Sequence, residues 1–228
     1  MSMFTARGQE VKESINKKKV DLKNAYYRMK SGESAKVRVL SPDDYVEYLA
    51  HSSFTHKVYT QPCVSVLGQE CALCTASKSG IADYDALAPR KRYVFVFADL
   101  TTGELKALDV SKNQAKALIS AIEEYADEIL DGELAFTLKK VGDGTSTGYS
   151  LSPIIKMKGD EPAQFEKCGE LEVTDEYLNT VLTPRSIELQ VGVLKENGFP
   201  TDEYFPHIKL EDKPELTSDE ADDVLKNM

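Results

Sequence analysis

Three of the chain's four cysteines and two of its three histidines fall within residues 51–74: His51, His56, Cys63, Cys71 and Cys74. Thiolate and imidazole are the ligands that hold zinc. Cys71-Ala-Leu-Cys74 is a C-x2-C knuckle, a spacing that lets two thiolates grip one ion. Cys63 supplies a third sulfur and a histidine the fourth ligand, giving a Cys3His site for one Zn2+. Four protein ligands leave no open position for an activated water, so the site is expected to be structural. Residue types leave both His51 and His56 open as the fourth ligand. Three other uses of these thiols compete. Disulfides suit export, of which the sequence gives no sign. A redox pair is expected at a strand-to-helix junction in a βαβ setting, and none is visible. Buried free thiols are the third. Cys168, far along the chain, reads as a lone thiol.

A second pattern interleaves cations with aromatic rings. Binding unpaired nucleic acid needs a cationic groove for phosphates and flat faces on which bases stack. Tyr27 and Arg28, Lys36 and Arg38, Tyr59, the run Arg90-Lys91-Arg92-Tyr93, Lys139 and Tyr149 supply both. Phe95 and Phe97 follow that run and are expected in the core. The signatures of catalysis are missing. The chain has no G-x-x-x-x-G-K-[ST] loop and no G-x-S-x-G elbow, its histidines suggest no triad, and Asp43-Asp44 reads as a pair of surface acids. A non-enzyme is expected.

The elements that must position these residues are mostly strands. Residues 26–30 and 35–40 look β-like around the turn signal Ser31-Gly-Glu-Ser34, and in the second run Val37 and Val39 alternate with Lys36 and Arg38. Residues 45–60 give one or two strands, 61–90 an inserted loop module, and 90–99 another strand. That strand turns at Thr101-Thr-Gly103 and returns over 104–110. Ser111 with Gln114 three residues on forms a capping box. Behind it Ala115, Leu118, Ile119, Ile122, Tyr125, Ala126 and Ile129 share one helical face until Asp131-Gly132. Two strands, 134–141 and 148–155, and helices over 174–182 and 184–197 complete the pattern. Five or so short strands with one late helix predict a mainly β chain with helices (α+β). The expected architecture is a five-stranded oligonucleotide-binding barrel with an inserted zinc-binding loop subdomain.

The net charge of −10 over 228 residues argues at first against a polyanionic partner. Its distribution removes that exclusion, although the middle of the chain still carries −11, so any groove must be a local patch. Residues 1–40 carry +6 and residues 211–228 carry −5. The expected organisation is a basic, flexible N-terminal arm over 1–22 and a core over 23–210. Within the core, a zinc subdomain covers about 51–80 and a helical C-terminal part about 174–200. An acidic tail covers 211–228. The longest apolar run, 93–98, is far short of the roughly 20 residues that span a bilayer. No basic segment followed by an apolar one opens the chain, so cytoplasmic residence is expected.

Taken together, these motifs resemble the helix-destabilising single-stranded DNA-binding proteins of T-even-type phages, the gene 32 protein family. The resemblance runs from about Tyr27 to about Ile155. Ala35-Lys-Val-Arg-Val-Leu40 looks like that family's first barrel strand. His51-Ser-Ser-Phe54, Cys63 and Cys71-Ala-Leu-Cys74 follow its zinc subdomain. Arg90-Lys91 with Tyr93 looks like its strand beside the DNA cleft. The segment from Gly103 through the helix opened by Ser111 and the hairpin from Phe136 to Tyr149 are similar as well. The ligand gaps are shorter by one or two residues. The family's tryptophans are absent, Val58 and Val94 standing near those positions, and the basic arm has no clean Lys-Arg-Ser-Thr match. The resemblance implies that His51 is the zinc ligand, with His56 the alternate. It further implies sequence-independent binding of single-stranded DNA in phage replication, recombination and repair. The acidic tail would recruit replication and recombination proteins, and the chain would be a monomer able to self-associate along DNA in the host cytoplasm. An RNA-binding translational regulator on the same fold and a zinc-ribbon module for protein interaction are the rival expectations.

Overall fold

The apolar run 93–98 lies in the middle of a ten-residue strand, and residues 94–99 of that strand are buried. The structure is a computed structural model that describes residue 22 and residues 24–210. The acidic tail and nearly all of the basic arm therefore lie outside the described residues. The strands are β1 (Ser34–Arg38), β2 (Tyr45–Ser53), β3 (Val58–Pro62), β4 (Arg90–Asp99), β5 (Glu104–Val110), β6 (Ala135–Val141) and β7 (Gly148–Pro153). The helices are α1 (Ala72–Ser77), α2 (Lys112–Glu124), α3 (Ala126–Leu130), α4 (Glu161–Cys168), α5 (Asp175–Val181), α6 (Ile187–Glu196) and α7 (Thr201–Tyr204). None of these helices is long and apolar enough to cross a membrane. The described residues divide into two units: those up to Leu49 with Arg90–Thr183, and Ala50–Pro89 with 184–210.

The first unit is a curled antiparallel sheet forming a half-barrel, compatible with the expected oligonucleotide-binding arrangement. β4 pairs in full register with β5, Tyr93 opposite Val110 through Asp99 opposite Glu104. β1 joins β4 at Val37 and Arg38, and β6 joins β1 and β7. Alternation along β4 separates two cores. Phe95 and Phe97 point to one side, with Val37, Leu108, Leu118, Ile122, Phe136 and Leu138. Val94 and Val96 point to the other, with Ala107, Tyr26, Tyr177 and Val181. Helix α2 begins where the capping box places it, the Gln114 side chain accepting from Ser111 N at 2.8 Å.

Two expectations for this unit are corrected. The helix does not continue unbroken through Ile129. Tyr125 leaves helical geometry (φ −120°, ψ 28°), its ring meets Phe136 edge-on at 5.9 Å, and α3 starts anew. Residues 26–30 do not form a strand. A single parallel bridge joins Tyr26 to Ala107, and the segment is tied by side chains instead, Tyr26 Oη to Val181 O at 2.7 Å and Lys140 Nζ to Met29 O at 2.9 Å. Gly32, at φ 84°, turns the chain back toward β6, where its N–H bonds Lys140 O.

In the second unit Ala50–Ser53 of β2 pair with β3, His51 opposite Gln61, with a register shift before Ser53. The segment read as a loop module folds as 3-10 turns Val64–Leu67 and Ala82–Leu87 around α1. Phe199 anchors an aromatic core with Tyr84 (4.8 Å), Tyr204 (4.9 Å) and Phe205 (6.3 Å). Helix α6 starts at Ser186, whose hydroxyl accepts from Leu189 N, and Gly198 at φ 82° follows its end.

Candidate functional site

The hairpin of the second unit sets two of the four ligands. His51 faces inward on β2 opposite Gln61, and Cys63 lies two residues past Gln61, on the same side of the chain. The other two come from α1. Cys71 is its N-cap and Cys74 lies one helical turn on, so both sulfurs face one way. The result is a cluster in which His51 Nε2 and the sulfurs of Cys63, Cys71 and Cys74 all lie within 4.8 Å of one another. Cys71 Sγ is 3.3 Å and Cys74 Sγ 3.7 Å from His51 Nε2, and Cys63 Sγ is 3.4 Å from Cys74 Sγ. Around a tetrahedral zinc with Zn–S near 2.3 Å, ligand atoms stand roughly 3.5–3.8 Å apart. Those three edges sit close to that.

The surroundings prepare these atoms for a cation. His51 Nδ1 bonds Leu87 O at 2.6 Å, which leaves Nε2 as the nitrogen facing the sulfurs. Burial holds the His51 pKa below its ordinary value, although the Leu87 carbonyl opposes this, which favours the neutral ring a ligand needs. Burial raises the thiol of Cys71 and pushes that of Cys74 up to about 12. Cys63 is raised by burial too, but hydrogen bonds from Ser65, Cys74 and Cys71 together outweigh this and bring it below the ordinary thiol value. A bound dication reverses the cost of burying such thiolates. The donor set and spacing therefore fit a metal ion.

His56 is not part of this cluster. Its Nδ1 lies 2.8 Å from Ser53 Oγ and its ring meets Tyr84 at a tilt, centroids 4.8 Å apart. Cys168 is likewise elsewhere, a buried thiol facing Asp99 O of the first unit. The sequence reading missed Gln190. From α6 its Oε1 accepts from Ala72 N at 3.1 Å and lies 3.5 Å from Cys71 Sγ, while its Nε2 donates to Arg185 O. The available signal was an amide on the buried face of α6, beside Val191 and Leu194.

The cations and rings singled out for nucleic acid meet varied fates. Arg90 and Lys91 open β4 and are exposed; Lys91 pairs with Glu47 at 2.7 Å, to which Tyr93 also donates its hydroxyl at 3.0 Å. Arg92 is half-buried and paired with Asp109. Lys36 pairs with Glu161. Arg38 turns inward. Its guanidinium lies 4.1 Å from the Phe165 ring centroid and donates to Phe165 O at 2.8 Å. A Cβ added at Gly132 or Gly169 would come within 2.8 or 2.6 Å of it, so both glycines make room for this side chain. Arg28 and Lys139 are exposed. Tyr27 and Arg28 line a groove of about 400 Å³ with Met29, Asp99 and Lys106, and the Lys106 ammonium lies 5.5 Å above the Tyr27 ring. Tyr149 packs against the core around Phe95. In the second unit, Tyr59 is 65% exposed. No family model and no curated protein matches the chain.

Proposed function

We propose that this chain binds single-stranded DNA without sequence preference, by a non-catalytic mechanism, through an oligonucleotide-binding barrel stabilised elsewhere in the chain by one structural zinc. The observation that carries the reading is the exposed pair Arg90 and Lys91 at the entrance of the central strand of a curled antiparallel half-barrel. With Arg28 and Lys139 they form cationic points on a chain of net charge −10, where a cation-rich surface has no solubility role to fill. Zinc suits three thiolates and one imidazole gathered within 4.8 Å of one another. By its resemblance to the gene 32 proteins, the chain would act in phage DNA replication, recombination and repair, with the 211–228 tail docking partner enzymes.

The test is the anisotropy of a labelled oligo-deoxythymidine titrated with the full chain across rising salt. Affinity should fall along a straight line in log salt, with a slope of about −0.7 for each phosphate neutralised. Absence of binding at low salt, or a flat salt response, overturns the reading. Tighter binding to the RNA oligonucleotide of matching sequence would favour the translational regulator. No shift with either polymer would favour the protein-interaction module.

A further inference from the structure

Arg92 differs from its neighbours at the head of β4. Where Arg90 and Lys91 are exposed, the Arg92 side chain is 24% exposed, and its Nε donates to Asp109 Oδ1 at 2.8 Å. The sheet register explains the meeting. Val94 lies opposite Asp109, and Arg92 projects from the same face two residues earlier, so the two are diagonal cross-strand neighbours. The second carboxylate oxygen is taken as well: Tyr48 of β2 donates its hydroxyl to Asp109 Oδ2 at 3.0 Å. The Asp109 side chain is 17% exposed, so this carboxylate is held by two strands at once.

A lysine or arginine at the surface normally sweeps many rotamers, and ordering it on a ligand carries an entropic cost. Arg92 has lost that freedom already. Its Nε edge is fixed on Asp109 while the side chain remains 24% exposed, and a guanidinium held in one orientation is the form in which arginine grips a phosphate with two parallel bonds. Resting on the single-stranded DNA reading above, we infer that Asp109 and Tyr48 are positioning residues that hold Arg92 as a preset clamp for one backbone phosphate.

The inference can be tested by the sign of one effect. If Asp109 acts only as a nearby negative charge, Asp109→Asn removes repulsion and tightens binding. If it positions Arg92, Asp109→Asn weakens binding although the protein has become less negative. The assay is oligo-deoxythymidine anisotropy with the full chain, with the thermal midpoint of each variant measured alongside. Asp109→Asn and Arg92→Lys should each weaken binding about 5- to 10-fold, Lys keeping the charge but not the fork. The double variant should be no weaker than Arg92→Lys alone, because the carboxylate acts through the guanidinium. Tyr48→Phe should weaken binding about twofold by the same route. Unchanged or tighter binding by Asp109→Asn, or additive losses in the double variant, overturns the clamp. If Asp109→Asn does not fold, the pair Tyr48→Phe and Arg92→Lys decides by the same additivity rule. Failure of the wild type to bind overturns the reading beneath, whereas a binding wild type with an indifferent Asp109→Asn overturns the clamp alone.

Discussion

The two units arrange their chemistry-bearing side chains in opposite ways. In the second unit four ligand atoms turn toward one another and crowd within 4.8 Å, an arrangement whose natural complement is a cation. In the first unit four of the candidate cations turn toward partners the chain already provides, while Arg28, Arg90 and Lys139 stay exposed. Lys36 meets Glu161, Lys91 meets Glu47, Arg92 meets Asp109, and Arg38 lies on Phe165. Convergence identifies a binding centre from its own geometry. A scatter of cations does not, because the same guanidinium serves a phosphate or an internal carboxylate equally well. Which cations of the first unit, if any, serve a ligand rather than the architecture is therefore a question for experiment.

The largest effect is expected where the cluster is broken. Removing the metal with a chelator, or replacing one ligand in Cys71→Ser, should destabilise the second unit by on the order of 5 kcal/mol, since metal binding there is folding energy. Elemental analysis should find one zinc per wild-type chain and none in Cys71→Ser. His56→Ala should keep its zinc, because His56 bonds Ser53 rather than the cluster. A metal-free wild type with an unchanged melting midpoint would erase the contrast between the units.

Next in size is Arg38. Its contact with the Phe165 ring and its charged hydrogen bond to the Phe165 carbonyl are half-buried, so Arg38→Ala should cost the first unit about 2–4 kcal/mol in denaturant unfolding. Lys91→Ala should behave in the reverse way. The pair with Glu47 is exposed, and losing it should change stability by under about 1 kcal/mol. The slope of log affinity against log salt should become shallower by about 0.7, the contribution of one phosphate on a single strand. If Arg38→Ala leaves stability intact and flattens the salt slope, Arg38 belongs among the ligand-binding cations after all.

The same division runs through what could be read from the sequence. The cysteine and histidine spacing announced the cluster because metal ligation demands particular atoms close together, and β4 was legible because Phe95 and Phe97 alternate with Val94 and Val96 over a run buried on both faces. Helix α2 was legible through Ser111 and Gln114. What escaped depends on contacts distant in sequence. The inward turn of Arg38 needs α4, 127 residues later, and nothing in 35–40 reveals it. Gln190 reaches Cys71 across 119 residues. The described segment 184–210 joins the unit of 50–89 for the same kind of reason. The choice between His51 and His56 turned on which ring the β2 and β3 register aims at the sulfurs.

The smallest effect, and the finest test of how inward-facing the first unit's charges are, concerns Asp99. This carboxylate accepts from Thr101 N and Thr102 N, both at 2.9 Å, from Thr102 Oγ1 at 3.3 Å and from Lys106 Nζ at 3.3 Å. Burial alone would raise its pKa, but the two amides and the Lys106 ammonium outweigh burial and hold it below the ordinary carboxyl value. A carboxyl depressed on folding contributes stability that is fully present above its unfolded pKa, near 3.9, and is lost as pH falls through the lower folded value. The first unit should therefore weaken as the solution is acidified below about pH 4. Asp99→Asn should be less stable than wild type at neutral pH and show a flatter dependence below pH 4, because the titrating group is gone. An equally steep acid limb in Asp99→Asn would assign the acid sensitivity to other carboxyls and remove Asp99 from the set of charges that the first unit satisfies internally.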